Sequence, residues 1–311
     1  MPKRASLAFL GALVAVVLLV VTWYLAFHIG AVERADASIL TGFAGLDGPA
    51  FVNWLTAAIA NLCDPKPYVF FAAAVVLAAL IRRRGRVAFA VAVIMLGANL
   101  TTEILKSLLA GAHPVGYSVA GHLVFKAAAW PSGHATAALS LALCAVLAAP
   151  ARRRPVVAAA GAAFAIAVVF SFLIQAWHYP TDVLGGFLVA GAWTLVGVGA
   201  VWTADARSAP RAAGSSAVRP TTRQALGPPA AVAAGALALV GLVALARPHP
   251  VIAYAHAHKA FVVGAFCIAA LVLALATGLM LATTVRRGDP ALRDAAVTDS
   301  GPVPTGAPRR G

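Results

Sequence analysis

Charge is what this sequence has least of. Only 11% of its 311 residues are Asp, Glu, Lys or Arg, while 61% are apolar. A soluble chain of this length needs far more polar side chain to cover its surface, so a soluble globular fold is excluded. Cysteine is scarce too. Cys63, Cys144 and Cys267 are odd in number and far apart, which leaves neither a disulfide framework nor a zinc site. Acidic residues are the rarest charges, 10 against 24 Lys and Arg, for a net charge of +14. Such an excess would point a soluble protein toward nucleic acid. Here the basic residues stand in short clusters between apolar runs: Arg82-Arg83-Arg84-Gly85-Arg86, Arg152-Arg153-Arg154, and Arg207, Arg211, Arg219 and Arg223. That is the pattern of cytoplasmic loops beside anionic lipid, and no nucleic-acid partner is expected.

What the chain has in abundance is long apolar runs. Several reach the roughly 17–25 residues that cross a bilayer as a helix. The expected class is therefore all-α and polytopic. Eight membrane helices are predicted, over about 7–29, 67–81, 87–109, 133–149, 156–176, 181–202, 230–246 and 260–285. The shorter stretch 51–62 reads as an interfacial helix or a re-entrant piece. Lys3 and Arg4 precede the first run as in a signal peptide. The run is too long for an h-region and lacks a clear cleavage site, so it reads as a retained span.

Placing the N-terminus in the cytoplasm puts 18 of the 24 basic residues on the cytoplasmic side. By the positive-inside rule this orients the whole chain, with both termini in the cytoplasm. Segments 110–132 and 175–181 then face the extracytoplasmic side of a plasma membrane.

The few ionisable residues near the membrane gather at that outer face. They are Glu103, Lys106 and His113 at the end of the third helix, Ser132 and His134 at the start of the fourth, and His178 and Asp182 at the end of the fifth and start of the sixth. Charges at such places are costly and usually functional. His178 and Asp182 are four apart, and Pro180 between them suits a helix start. At that spacing the carboxylate can fix one imidazole nitrogen and leave the other free to attack. Ser132 and Gly133 open a helix whose free N–H groups and dipole favour an anion. Lys106 adds positive charge, and His134 is placed to pass a proton to a leaving group. Glu103 is expected to pair with Lys106 along one helix face. Together these parts describe phosphoryl transfer through a histidine.

The run Lys106-(six residues)-His113-Pro114, then Pro131-Ser132-Gly133-His134, then Ser171-Phe172-(five residues)-His178-(three residues)-Asp182 resembles the three-part signature of the type 2 phosphatidic-acid phosphatase superfamily. That superfamily holds membrane lipid phosphatases with a six-helix core and soluble vanadium haloperoxidases. The resemblance implies a six-helix phosphatase-like core over 1–203. Composition and the apolar runs add a cytoplasmic linker over 204–228, two additional transmembrane helices within 229–285, and a disordered cytoplasmic tail over 286–311. The resemblance also implies His178 as nucleophile, Asp182 as its orienting partner and His134 as the proton donor. Lys106, Ser132, Gly133 and His113 would hold the phosphate, with no metal and no other cofactor. The implied partner is a lipid phosphate or pyrophosphate within the membrane.

Two positions depart from the signature. His113 and Phe172 stand where the family has arginines that clamp phosphate oxygens. Lys126 is either a stand-in cation or an ordinary loop lysine. The expected activity is a lipid phosphatase. The alternative is a catalytically weakened or inactive lipid-phosphate-binding or transport protein.

Overall fold

Lipid leaves a backbone few choices, because every N–H and C=O in the hydrocarbon needs a partner within the chain. The computed structural model describes residues 2–109, 118–119, 122–123, 130–208 and 221–284, and they are almost wholly helical. Eleven α-helices are present among them. They are α1 (Lys3–His28), α2 (Gly30–Ala44), α3 (Ala50–Ala60), α4 (Pro65–Ile81), α5 (Gly85–Leu108), α6 (Gly133–Ala148), α7 (Arg154–Ile174), α8 (Pro180–Ser208), α9 (Thr222–Ala246), α10 (Pro248–Ala257) and α11 (Lys259–Thr284). A two-residue antiparallel pair, Ser118–Val119 with His122–Leu123, lies between α5 and α6.

Six of these helices are long and apolar enough to cross a bilayer: α1, α5, α7, α8, α9 and α11. The segment Ala50–Cys63 and α4 would make a seventh span, bent by 55° at the break before Pro65. The expected eighth is α6, which has only 16 residues. At about 1.5 Å per residue it falls short of the roughly 30 Å hydrocarbon thickness. It is also the central helix, with 13 of its 16 residues buried. Small residues let its neighbours come close. A Cβ on Gly161 of α7 would lie 3.1 Å from the Cβ of Ala142.

The chain turns tightly at both ends of this core. After α4 and after α7 the backbone closes in the same way. Arg84 N–H donates to Ala79 O and Arg83 N–H to Leu80 O, while Trp177 N–H donates to Phe172 O and Ala176 N–H to Leu173 O. This is a Schellman closure, and its left-handed residue is usually glycine. Here Arg83 (φ 56°) and Ala176 (φ 54°) take that place. The second turn aims Trp177 and His178 back over the end of the bundle.

Two helices come from stretches with no predicted element. The α2 helix carries Glu33, Arg34 and Asp36, too polar for a span, yet it buries Ala37, Leu40, Phe43 and Ala44 at helical spacing. The α10 helix is ten residues between α9 and α11. The last helix is built into the core. In α11, Ile268, Val272, Ala276 and Met280 are buried at every fourth position, and α11 packs on α2, α6 and α7. By contrast α9 buries only Ala225 and Pro229 and turns Leu237, Leu239, Leu242 and Leu245 outward.

The basic turns lie at one end of the bundle. There Arg84 donates to the carbonyls of Leu147 (3.0 Å) and Ala148 (3.3 Å), and Arg154 to those of Ala149 (3.3 Å) and Thr283 (2.5 Å). Both guanidinium groups thereby satisfy orphan carbonyls at the C-terminal ends of α6 and α11. The motif residues lie at the other ends of α5, α6 and α7 and at the start of α8.

Candidate active site

Three backbone ends meet where α6 begins. Ser132 is the N-cap of α6, and its Oγ accepts from Ala135 N–H at 3.3 Å. Its own N–H donates to the carbonyl of Asp182 at 2.9 Å, which ties α6 directly to the first turn of α8. The approach needs Gly186, because a Cβ there would come within 2.6 Å of Ser132 O. Behind it the hydroxyls of Thr102 on α5 and Thr136 on α6 lie 3.0 Å apart.

The first turn of α8 holds the histidine pair. Asp182, the third residue of the helix, is fully buried, and its Oδ2 accepts from the N–H of Tyr179 at 2.9 Å. That is the returning half of a capping box. The same oxygen lies 3.3 Å from Nδ1 of His178. Opposite an ionised carboxylate, Nδ1 carries the proton and Nε2 keeps its lone pair.

His134, the second residue of α6, faces this pair, with ring centroids 6.2 Å apart. Its Nε2 lies 3.1 Å from Oδ1 of Asp64. Asp64 is the N-cap of α4, yet its side chain makes no capping bond. The pocket therefore holds two imidazole–carboxylate pairs, His178–Asp182 and His134–Asp64.

Lys106 comes from the last turn of α5. A Cβ on Gly133 would lie 3.0 Å from its Nζ, so the ammonium rests against the start of α6. Its Nζ donates to Oε1 of Glu103 at 2.7 Å, the expected pair along one helix face. That carboxylate oxygen would itself be 3.5 Å from a Gly133 Cβ. An anion entering above α6 meets the lysine with a carboxylate beside it.

Phe172 is fully buried and packs edge-on against the His178 ring, with centroids 5.3 Å apart. It also lies 6.0 Å from the His134 ring, and Trp177 lies 5.7 Å from His134 on its own contact. An aromatic wall stands where the family signature has a guanidinium.

The structure thus brings together Lys106, Ser132, Gly133, His134, His178 and Asp182. His113 and Lys126 lie outside the described residues. Asp64 was missed by sequence reasoning, although two signals point to it. It is one of only 10 acidic residues, and it precedes Pro65 at a helix start.

Comparison with curated proteins and with solved structures finds no significant match. The family model described as the PAP2 superfamily matches residues 87–206. The match begins inside α5, ends inside α8 and contains all three motif elements, which points to phosphatase-type chemistry. Residues 87–206 thus match the PAP2 superfamily, the type 2 phosphatidic-acid phosphatase superfamily that the motifs resemble.

Proposed function

We propose that the protein is a membrane lipid phosphatase that hydrolyses a lipid phosphomonoester or pyrophosphate through a phosphohistidine on His178. The observation that carries this reading is the pair of imidazole–carboxylate units, 6.2 Å apart by ring centroid, beside Lys106 at the start of α6.

In the proposed cycle the phosphoryl group sits between the two imidazoles. Lys106, the Ser132 hydroxyl and the free N–H groups at the α6 start hold its oxygens. The lone pair on His178 Nε2 forms the N–P bond as the bond to the leaving oxygen breaks. The leaving oxygen takes a proton from His134, whose Nε2 is oriented by Asp64. His134, now neutral, accepts a proton from water as the water oxygen attacks phosphorus. The N–P bond breaks, and inorganic phosphate and free His178 result. Asp182 keeps the Nδ1 proton in place throughout.

A lipid substrate fits the position of the pocket. The helix that opens it is shorter than a span, so the site is recessed. Ile104 and Leu108 on α5, and Val69 and Phe70 on α4, face outward beside it, where acyl chains remain in the bilayer. The extracytoplasmic orientation rests on the Arg84 and Arg154 turns at the opposite end of the bundle. In this reading the chain lies in a plasma membrane with both termini cytoplasmic.

The buried Phe172 favours a second reading, a lipid-phosphate binder that turns over slowly or not at all. One experiment separates the two. Purified protein is given dioctanoyl phosphatidic acid and a short-chain polyprenyl pyrophosphate in the presence of a chelator. Phosphate release that His178→Ala abolishes supports the phosphatase. Equal inertness of both proteins, with lipid binding intact, supports the binder.

A further inference from the structure

We propose that Asp36 of α2 is a positioning residue for His178, acting through Thr181 at the start of α8; this rests on the histidine-nucleophile reading above. Asp36 is buried, and it reaches across 145 positions of sequence. Its Oδ1 accepts from the N–H of Thr181 at 3.1 Å, and its Oδ2 accepts from the Thr181 hydroxyl. Thr181 is the second residue of α8, so its N–H is one of the orphan donors of that helix start. The residue in the N-cap place, Tyr179, has no side chain suited to cap it. Asp36 supplies the cap from another helix, and its charge suits the positive end of the α8 dipole.

The consequence lies one residue on. Thr181 sits between His178 and Asp182, within the turn that sets their contact. A shift of Thr181 moves the Asp182 carboxylate, and with it the proton on His178 Nδ1. A buried carboxylate is costly unless it is hydrogen-bonded, and the two bonds to Thr181 offset part of that cost.

The C-terminal helices hold Asp36 in place from behind. The hydroxyl of Tyr254 on α10 donates to Gly42 O at 2.5 Å. A Cβ on Gly42 would collide with the Phe261 side chain, and one on Gly264 of α11 would come within 2.7 Å of Ile39. The α2 helix therefore cannot roll without displacing α10 and α11.

The test compares Asp36→Ala, Thr181→Val and Thr181→Ser with the full-length wild type in nanodiscs, using dioctanoyl phosphatidic acid. Each protein is also labelled with 15N-histidine, and the His178 signals are assigned by their loss in His178→Ala. Asp36→Ala and Thr181→Val are expected to lower kcat about 10- to 100-fold with KM within about threefold of wild type. Thr181→Ser keeps the hydroxyl and is expected to stay within about threefold of wild-type kcat. The Nδ1 signal of His178 should shift in Asp36→Ala and Thr181→Val and not in Thr181→Ser. Should Asp36→Ala not fold, Thr181→Val carries the comparison alone. Wild-type kcat together with an unshifted Nδ1 signal in the variants that lose the bond overturns the proposal. A wild type that releases no phosphate defeats the phosphatase reading instead, and the Nδ1 signal still decides the role of Asp36.

Discussion

The imidazole of His134 is tied to Asp64, Nε2 to Oδ1 at 3.1 Å, across 70 positions of sequence. The bond gives the helix that opens the candidate site a fixed partner on α4. Asp64→Ala is expected to lower kcat about 10- to 100-fold, the value of one hydrogen bond to a charged group. His134→Ala is expected to cost on the order of 10²–10⁴. Because Asp64 acts through His134, adding Asp64→Ala to His134→Ala should cost little more. Steady-state phosphate release from the three variants checks this.

Both the reach and the limit of sequence reading show at this pair. His134, Lys106, His178 and Asp182 were legible because each belongs to a motif whose spacing fixes its place at a helix end. Asp64 and Asp36 belong to no motif. Each is a single carboxylate delivered by packing between distant helices, and spacing along the chain carries no trace of that. The long spans were legible for a different reason. Lipid demands unbroken apolar runs, so α1, α5, α7 and α11 ended within about four residues of expectation. The α2 and α10 helices were not. Neither is a span, and Glu33, Arg34 and Asp36, or His249 and His256, break the apolar pattern that marks one. The α9 helix begins eight residues earlier than expected because a capping box at Thr221 and Gln224 starts it ahead of Pro228 and Pro229.

Phe172 tests how the pocket holds its anion. It is fully buried against His178, where the family signature carries arginine. Phe172→Arg places a guanidinium in the pocket without a bound partner, so the thermal midpoint of the substrate-free protein should fall. Added phosphate should restore part of it by mass action. With substrate present, kcat/KM is expected to rise about tenfold or more, as one charge-assisted contact to phosphate is gained. Thermal unfolding with and without phosphate, alongside phosphate release, measures both effects.

Arg154 tests the opposite end of the bundle. Its guanidinium bonds the carbonyls of Ala149 and Thr283 and so joins α7, the end of α6 and the end of α11. Arg154→Met keeps much of the side-chain volume and removes the donor to Thr283 O, while Ala149 O keeps Arg84 at 3.4 Å. A loss of about 2–4 kcal/mol is expected, with kcat/KM of the folded fraction unchanged because the residue is remote from the pocket. Thermal or denaturant unfolding in detergent, paired with kinetics below the transition, distinguishes this from a catalytic role.

The most direct measurement is of the covalent intermediate. Protein mixed with phosphatidic acid labelled with 32P in its phosphate is quenched in alkali within milliseconds and digested, and the labelled peptide is sequenced by mass spectrometry. An acid-labile phosphoryl group on His178, absent from His178→Ala and accumulating in His134→Ala, is the expected result. Phosphate release by wild type with no label on His178 at any quench time, or label on a different residue, would contradict it.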